Sequence, residues 1–172
     1  MTDMEDNNVG EVDNRRQLEE SSMIKSYMLA GNAKLTLVSK KTGTRFTYKV
    51  RLAPNDEGKP DHKVPWFVSV LNGQDNENSF AFLGVIWKRY VDDSKANHFY
   101  EYKHGVKSGF GPTAPSAKAF AWFFSNLLDL GTIQDSLEVW HEGTCGKCGR
   151  SLTVPESIER GIGPECASKG LV

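Results

Sequence analysis

Cysteine is scarce in this sequence. There are three, Cys145, Cys148 and Cys166, and an odd number excludes a closed disulfide framework, because one thiol is left over. Clustered thiols in a reducing compartment are more often metal ligands than bridges. Long apolar runs are missing too: nothing approaches the ~20 residues that span a bilayer. The opening stretch MTDMEDNNVGEVDNRRQLEE has no apolar core of the kind a secretory signal needs. The expectation is a protein of a cytoplasm, with no membrane partner. Catalytic signatures are equally thin. G-x-S-x-G, the Walker A loop and H-E-x-x-H are all absent. GVKSGFGP is rich in glycine, but it lacks the GK[ST] ending and a buried strand before it, so it reads as a plain loop. The expectation is a protein without enzymatic activity.

What is present suits one globular domain with a small appendage. Of the 172 residues, 38% are hydrophobic and 25% charged. The net charge of −1 hides an asymmetry. Residues 1–23 carry seven acids and two bases, which leaves 19 bases against 15 acids in the rest. An acidic segment without aromatics cannot bury enough surface to offset the cost of ordering, so residues 1–25 are expected as a disordered acidic tail. SSMIKSYMLAGN reads either as a short helix ending at Gly31 or as the lead into a strand.

From Lys34 the period becomes two. KLTLVSKKTGTRFTYKVRL reads as two strands around a KKTG turn, where Gly43 supplies positive φ. In the second strand Phe46, Tyr48 and Val50 alternate with Arg45, Thr47, Lys49 and Arg51, so the basic residues share one face. VPWFVSVLNG, SFAFLGVIWKRY and NHFYEYKHG read as three further strands. PSAKAFAWFFSNLLDLG is the clearest helix: Phe120, Phe123, Phe124, Leu127 and Leu128 form one stripe, Pro115 fits its start and Gly131 its end. There is no internal repeat. Strands followed by one amphipathic helix predict an α+β body over residues 26–131, built on an antiparallel sheet or an OB-like barrel.

Residues 132–172 predict a zinc-binding module. The spacing His141-x3-Cys145-x2-Cys148-x17-Cys166 joins a CxxC followed by glycine to a late cysteine beside Gly163-Pro164. The first is the pattern of a zinc knuckle, and the second sits where a helix can start. A treble-clef-like or ribbon-like module with one structural zinc on Cys145, Cys148, Cys166 and His141 is the natural proposal. The fourth ligand stays open, with Glu165, water, His62, His98 and His104 as alternatives. Catalytic zinc is disfavoured, because zinc deaminases carry H-x-E and P-C-x-x-C. Here Glu142 directly follows His141, and no proline precedes Cys145. In a segment poor in large apolar residues, a metal would stand in for a core.

The string CGKCGRSLTVPESIERGIGPECA resembles the cysteine-rich tail of an uncharacterised phage and prophage protein family. The shared features are CxxCGR (Cys145, Cys148, Gly149, Arg150), L-T-x-P-x-S (Leu152, Thr153, Pro155, Ser157) and G-I-G-P-x-C (Gly161, Ile162, Gly163, Pro164, Cys166). Upstream, SKKTGTRFTYKVR, PWFVSVLNGQDNENSFAFLG and GPTAPSAKAFAWF are similar to segments of such proteins, so the resemblance covers about residues 30–168. It implies zinc binding and a phage or prophage origin, and it implies no reaction.

Nucleic acid is the expected partner, single-stranded DNA in particular. Lys40, Lys41, Arg45, Lys49 and Arg51 on the hairpin, with Lys147 and Arg150 on the knuckle, supply charge for phosphate. Trp66, Phe67, Phe80, Phe82, Trp87, Tyr90, Tyr100 and Tyr102 supply rings on which bases stack. The alternative is a phage inhibitor that blocks a host defence protein or polymerase. A nucleic-acid binder predicts a basic groove continuous from the hairpin to the knuckle. An inhibitor predicts an exposed apolar patch, or acids arrayed like phosphates.

Overall fold

Two-residue periodicity becomes a hairpin. β1 (Asn32–Ser39) pairs antiparallel with β2 (Arg45–Leu52), from Asn32 opposite Arg51 to Val38 opposite Arg45, and Gly43 turns at φ 72°. The chain continues as a meander through β3 (Trp66–Leu71), β4 (Phe80–Tyr90) and β5 (His98–His104). This computed structural model describes residues 14–74, 78–127 and 130–169. A sixth strand, β6 (Leu137–His141), returns to pair antiparallel with β1, giving one α+β sheet in the order β5-β4-β3-β2-β1-β6. Of the two expected architectures, the antiparallel sheet is the one formed, with β5 and β6 as its edges.

Alternation decides which face becomes the core. Tyr48, Val50, Val68, Val70 and Ile86 point to one side and are buried. Helices α1 (Ser21–Met28) and α2 (Pro115–Ser125) cover that side. Phe120 and Phe123 of α2 are fully buried, and the Phe120 ring lies 5.0 Å from that of Tyr48 and 4.9 Å from that of Tyr102. Each such burial contributes about 1.5–3 kcal/mol. The buried Tyr48 hydroxyl donates to the Ser116 carbonyl at 2.7 Å, and the Trp66 indole donates to the Leu29 carbonyl at 3.1 Å. Neither polar group is left without a partner.

The structure departs from the sequence reading in three places. The long helix stops at Ser125. Asn126 donates through its side chain to the Trp122 carbonyl at 2.8 Å and through its amide to the Trp122 and Phe123 carbonyls, which closes the last turn. A new helix, α3 (Leu130–Ser136), contains Gly131 and runs straight into β6. Leu128 lies outside the described residues, as do residues 1–13 of the expected acidic tail. The remainder of that tail, residues 14–25, is folded. Leu18 and Ile24 are core residues, the Leu18 amide donates to the Val139 carbonyl at 2.7 Å, and Gln17 bridges Trp140 along the outer edge of β6. Finally, the segment from residue 130 supplies a strand of the main sheet, so body and cysteine segment share hydrogen bonds. Among the described residues, no helix is long and apolar enough to cross a membrane.

Candidate metal centre and the adjoining basic face

Beyond β6 the chain folds by short-range bonds. Gly143 turns at φ 82°, and Thr144 bridges Ser151. The Cys145 amide donates to the Arg150 carbonyl, and the Gly149 amide returns to the Cys145 carbonyl, each at 2.8 Å. This tight turn holds Cys145 and Cys148. Helix α4 (Pro155–Arg160) follows and ends at Gly161, whose φ of 72° is the left-handed cap that glycine accepts. Gly163 then opens α5 (Pro164–Ser168), which carries Cys166.

The three sulfurs converge within 4.8 Å of one another. Cys145 is buried, Cys166 half-buried and Cys148 exposed. Burial alone would push the Cys145 thiol up. Hydrogen bonds from the Gly163, Cys148 and Lys147 backbones outweigh it and bring the thiol down to about 7; the Gly163 amide lies 3.3 Å from the sulfur. Burial and the neighbouring Cys148 and Cys145 sulfurs push Cys166 up to about 11. One thiolate is thus favoured and its neighbour disfavoured, as expected of like charges in one small space. A cation removes that conflict, and the cluster is compatible with binding a metal ion.

His141 does not join the sulfurs. The Gly143 amide donates to its Nδ1 at 2.9 Å, so Nδ1 is the acceptor and Nε2 carries the proton donated to the Ile158 carbonyl. Its ring is buried, 5.6 Å from that of Tyr27. It ties β6 to α4 rather than facing the cluster. Nor do the other histidines reach it: His62 and His98 lie against Tyr90, and His104 bonds the Phe110 carbonyl. Glu165 is exposed and stands 3.7 Å from Arg150.

Tyr27 is the hinge between cluster and sheet. Its hydroxyl donates to the Lys34 carbonyl at 2.8 Å and accepts from the Lys34 amide at 3.0 Å. Its ring packs on Gly146 and Gly161, where a Cβ would stand 2.6 Å away in each case. The Asn32 amide donates to the Gly146 carbonyl at 2.6 Å. Tyr27 is not among the residues singled out from the sequence; its signal there is its place on the inner face of the short amphipathic helix α1.

On the side of the sheet away from α1 and α2, the expected basic row is assembled in part. Arg45, Lys49 and Arg51 share one face of β2, joined by Lys34 of β1, which the sequence reading had not singled out. Lys40 and Lys41 are exposed in the turn. Lys49 Nζ sits 4.1 Å above the Phe80 ring and Lys34 Nζ 5.6 Å from it. At the far end, a depression of about 230 Å³ lies between Lys34, Lys49 and Arg51 on one wall and Thr144 and Gly149 of the knuckle on the other. Lys147 is half-buried on the knuckle, and Arg150 is exposed beside Glu165.

The aromatic residues divide by strand parity. Phe67, Phe80, Phe82 and Trp87 lie on the same face as the basic row, and Phe99 and Trp140 belong with them. Phe67 and Phe82 meet edge to face at 6.3 Å, and Phe67 is 42% and Phe99 49% exposed. Trp66, Tyr90, Tyr100 and Tyr102 point to the helix side. The half-exposed Arg89 guanidinium is 5.2 Å from the Trp87 ring and 3.7 Å from Glu101.

Residues 137–169 match DUF6011, a family of unknown function. The match opens on the first residue of β6 and takes in the knuckle, α4 and α5. The matched unit therefore includes the strand that binds the cysteine segment to the sheet. No curated protein and no solved structure matches the chain.

Proposed function

We propose that this chain is a phage-encoded, non-enzymatic accessory protein of the host cytoplasm that binds single-stranded DNA. One structural zinc ion on Cys145, Cys148 and Cys166 fixes the knuckle against the sheet. The observation that carries the reading is the depression where Lys34, Lys49 and Arg51 meet the knuckle. It lies at the end of the basic row that runs from Arg45 to Arg51, about 20 Å along β2 at a strand's rise per residue, and meets the knuckle at Thr144 and Gly149. Half-exposed rings stand beside that row on β3, β4 and β5. A basic track flanked by aromatic platforms is how single strands are held without sequence readout, at about 1–3 kcal/mol per stacked base. The phage origin rests on the tail motif alone.

The test compares two charge reversals by fluorescence anisotropy on a labelled single-stranded oligonucleotide. Lys49→Glu with Arg51→Glu is expected to weaken binding at least tenfold. Lys118→Glu, exposed on α2 at the opposite side of the sheet, is expected to leave it unchanged. Equal losses in both proteins, or none in either, overturn the reading. Exposed Phe67 and Phe99 also favour a second reading, an inhibitor docked on a host protein. Phe67→Ala would then abolish capture of that protein, and salt would have little effect.

A further inference from the structure

Three sulfurs give a divalent ion one ligand fewer than the four that close a structural zinc site. Among the described residues, the converging group holds no fourth ligand. His141 is committed at both ring nitrogens, and Glu165 turns toward Arg150. The cysteines instead line a cleft of about 300 Å³, with Cys148 exposed at its rim. Lys169 supplies positive charge to that cleft, Arg150 and Glu165 line it as an ion pair at 3.7 Å, and Ser151, Thr153 and Ser157 supply hydroxyl groups.

We infer that the fourth coordination position of the bound ion opens onto this cleft and takes an exchangeable small anion from solution. The inference rests on the metal reading above and goes beyond a purely structural zinc. Three thiolates on a divalent ion leave an excess of negative charge, which would repel a further anion. Lys169 offsets that charge, Arg150 being balanced by Glu165. The hydroxyl groups give the incoming donor hydrogen bonds that water would otherwise provide.

The experiment uses the full chain loaded with Co²⁺, with azide as the probe. Thiolate-to-cobalt charge-transfer bands report ligation by cysteine, and the visible d–d bands report the fourth ligand. Azide is expected to shift the d–d bands saturably, and Lys169→Ala to raise the azide concentration needed several-fold. Bands that ignore azide overturn the open position while leaving the metal site standing. If Glu165→Gln then changes the azide-free spectrum, Glu165 is the fourth ligand. Absence of charge-transfer bands overturns both the open position and the metal reading.

Discussion

The Tyr27 ring leaves room at Gly146 for a hydrogen and nothing larger: a Cβ there would stand 2.6 Å from Cδ2 of the ring. The knuckle is seated on the sheet through this contact and through the hydroxyl that bonds Lys34 at both its amide and its carbonyl. Gly146→Ala is therefore expected to cost about 1–3 kcal/mol, as overpacking does, and to weaken metal retention. Tyr27→Phe keeps the ring but removes the hydroxyl's two bonds to Lys34, whose carbonyl still accepts from the Glu142 amide at 3.2 Å, at about 0.5–1.5 kcal/mol for each bond lost. Urea denaturation of the metal-loaded proteins measures both; an unchanged midpoint in Gly146→Ala contradicts the seating.

Cys148→Ser and His141→Gln separate ligand from scaffold. The first removes one of three converging sulfurs and is expected to lower bound metal well below one ion per chain. The sheet persists, because β6 pairs with β1 from Leu35 opposite His141 to Ser39 opposite Leu137. The second leaves the sulfurs intact and disturbs the bonds to Gly143 and Ile158. It is expected to destabilise the fold by about 1–3 kcal/mol while keeping metal at the wild-type level. Metal analysis after gel filtration checks both, and loss of the ion from His141→Gln would show that His141 is a ligand after all.

Asp61 gives the stability a defined acid limb. Hydrogen bonds from Lys88, at 2.8 Å, and from the Tyr90 hydroxyl hold its carboxyl down to about 2 from the ordinary 3.8. A carboxyl lowered by folding contributes stability that is fully present above its unfolded value and is lost as pH falls through its folded one. The window is thus roughly pH 4 down to pH 2. Asp61 is half exposed, so the contribution is modest, under about 1 kcal/mol. Asp61→Asn should lower the urea midpoint at pH 6, and the gap to wild type should close toward pH 2. A gap that persists at pH 2 contradicts this assignment.

Much of the sheet was legible because period-two alternation dictates faces. Phe46, Tyr48 and Val50 against Arg45, Lys49 and Arg51 separated core from surface before any register was known. The cysteine cluster was legible from its spacing. β6 was not: LEVWH is five residues long, follows a helix without a turn signal, and finds its partner in a strand far upstream. The end of α2 was hidden because Asn126 acts through its side chain, which apolar periodicity does not register. The distance of His141 from Cys145 suits a ligand, whereas the turn at Gly143 points a backbone amide at its Nδ1, which spacing does not register. Lys34 was recoverable, since pairing KLTLV with TRFTYKVRL across the turn sets it opposite Lys49.

Base stacking has its own signature. Phe67 is 42% exposed on the proposed binding face, while Trp66, its neighbour in β3, is buried on the other. Phe67→Ala is expected to lose about 1–3 kcal/mol of oligonucleotide affinity with little change in the salt dependence, because it touches no phosphate. Quenching of a fluorescent base analogue on binding should fall in the same variant. An affinity equal to wild type removes Phe67 from the interface.

The most direct test of the whole account is the salt dependence of single-stranded DNA binding by the metal-loaded wild-type chain. Phosphate contacts along Lys34, Arg45, Lys49 and Arg51 release counterions, so log K should fall linearly with log salt, with a slope of about −0.7 for each contact. Sub-micromolar binding at low salt is expected, with a slope of roughly −2 to −3 for three or four contacts. No binding at low salt, or binding indifferent to salt, would contradict it.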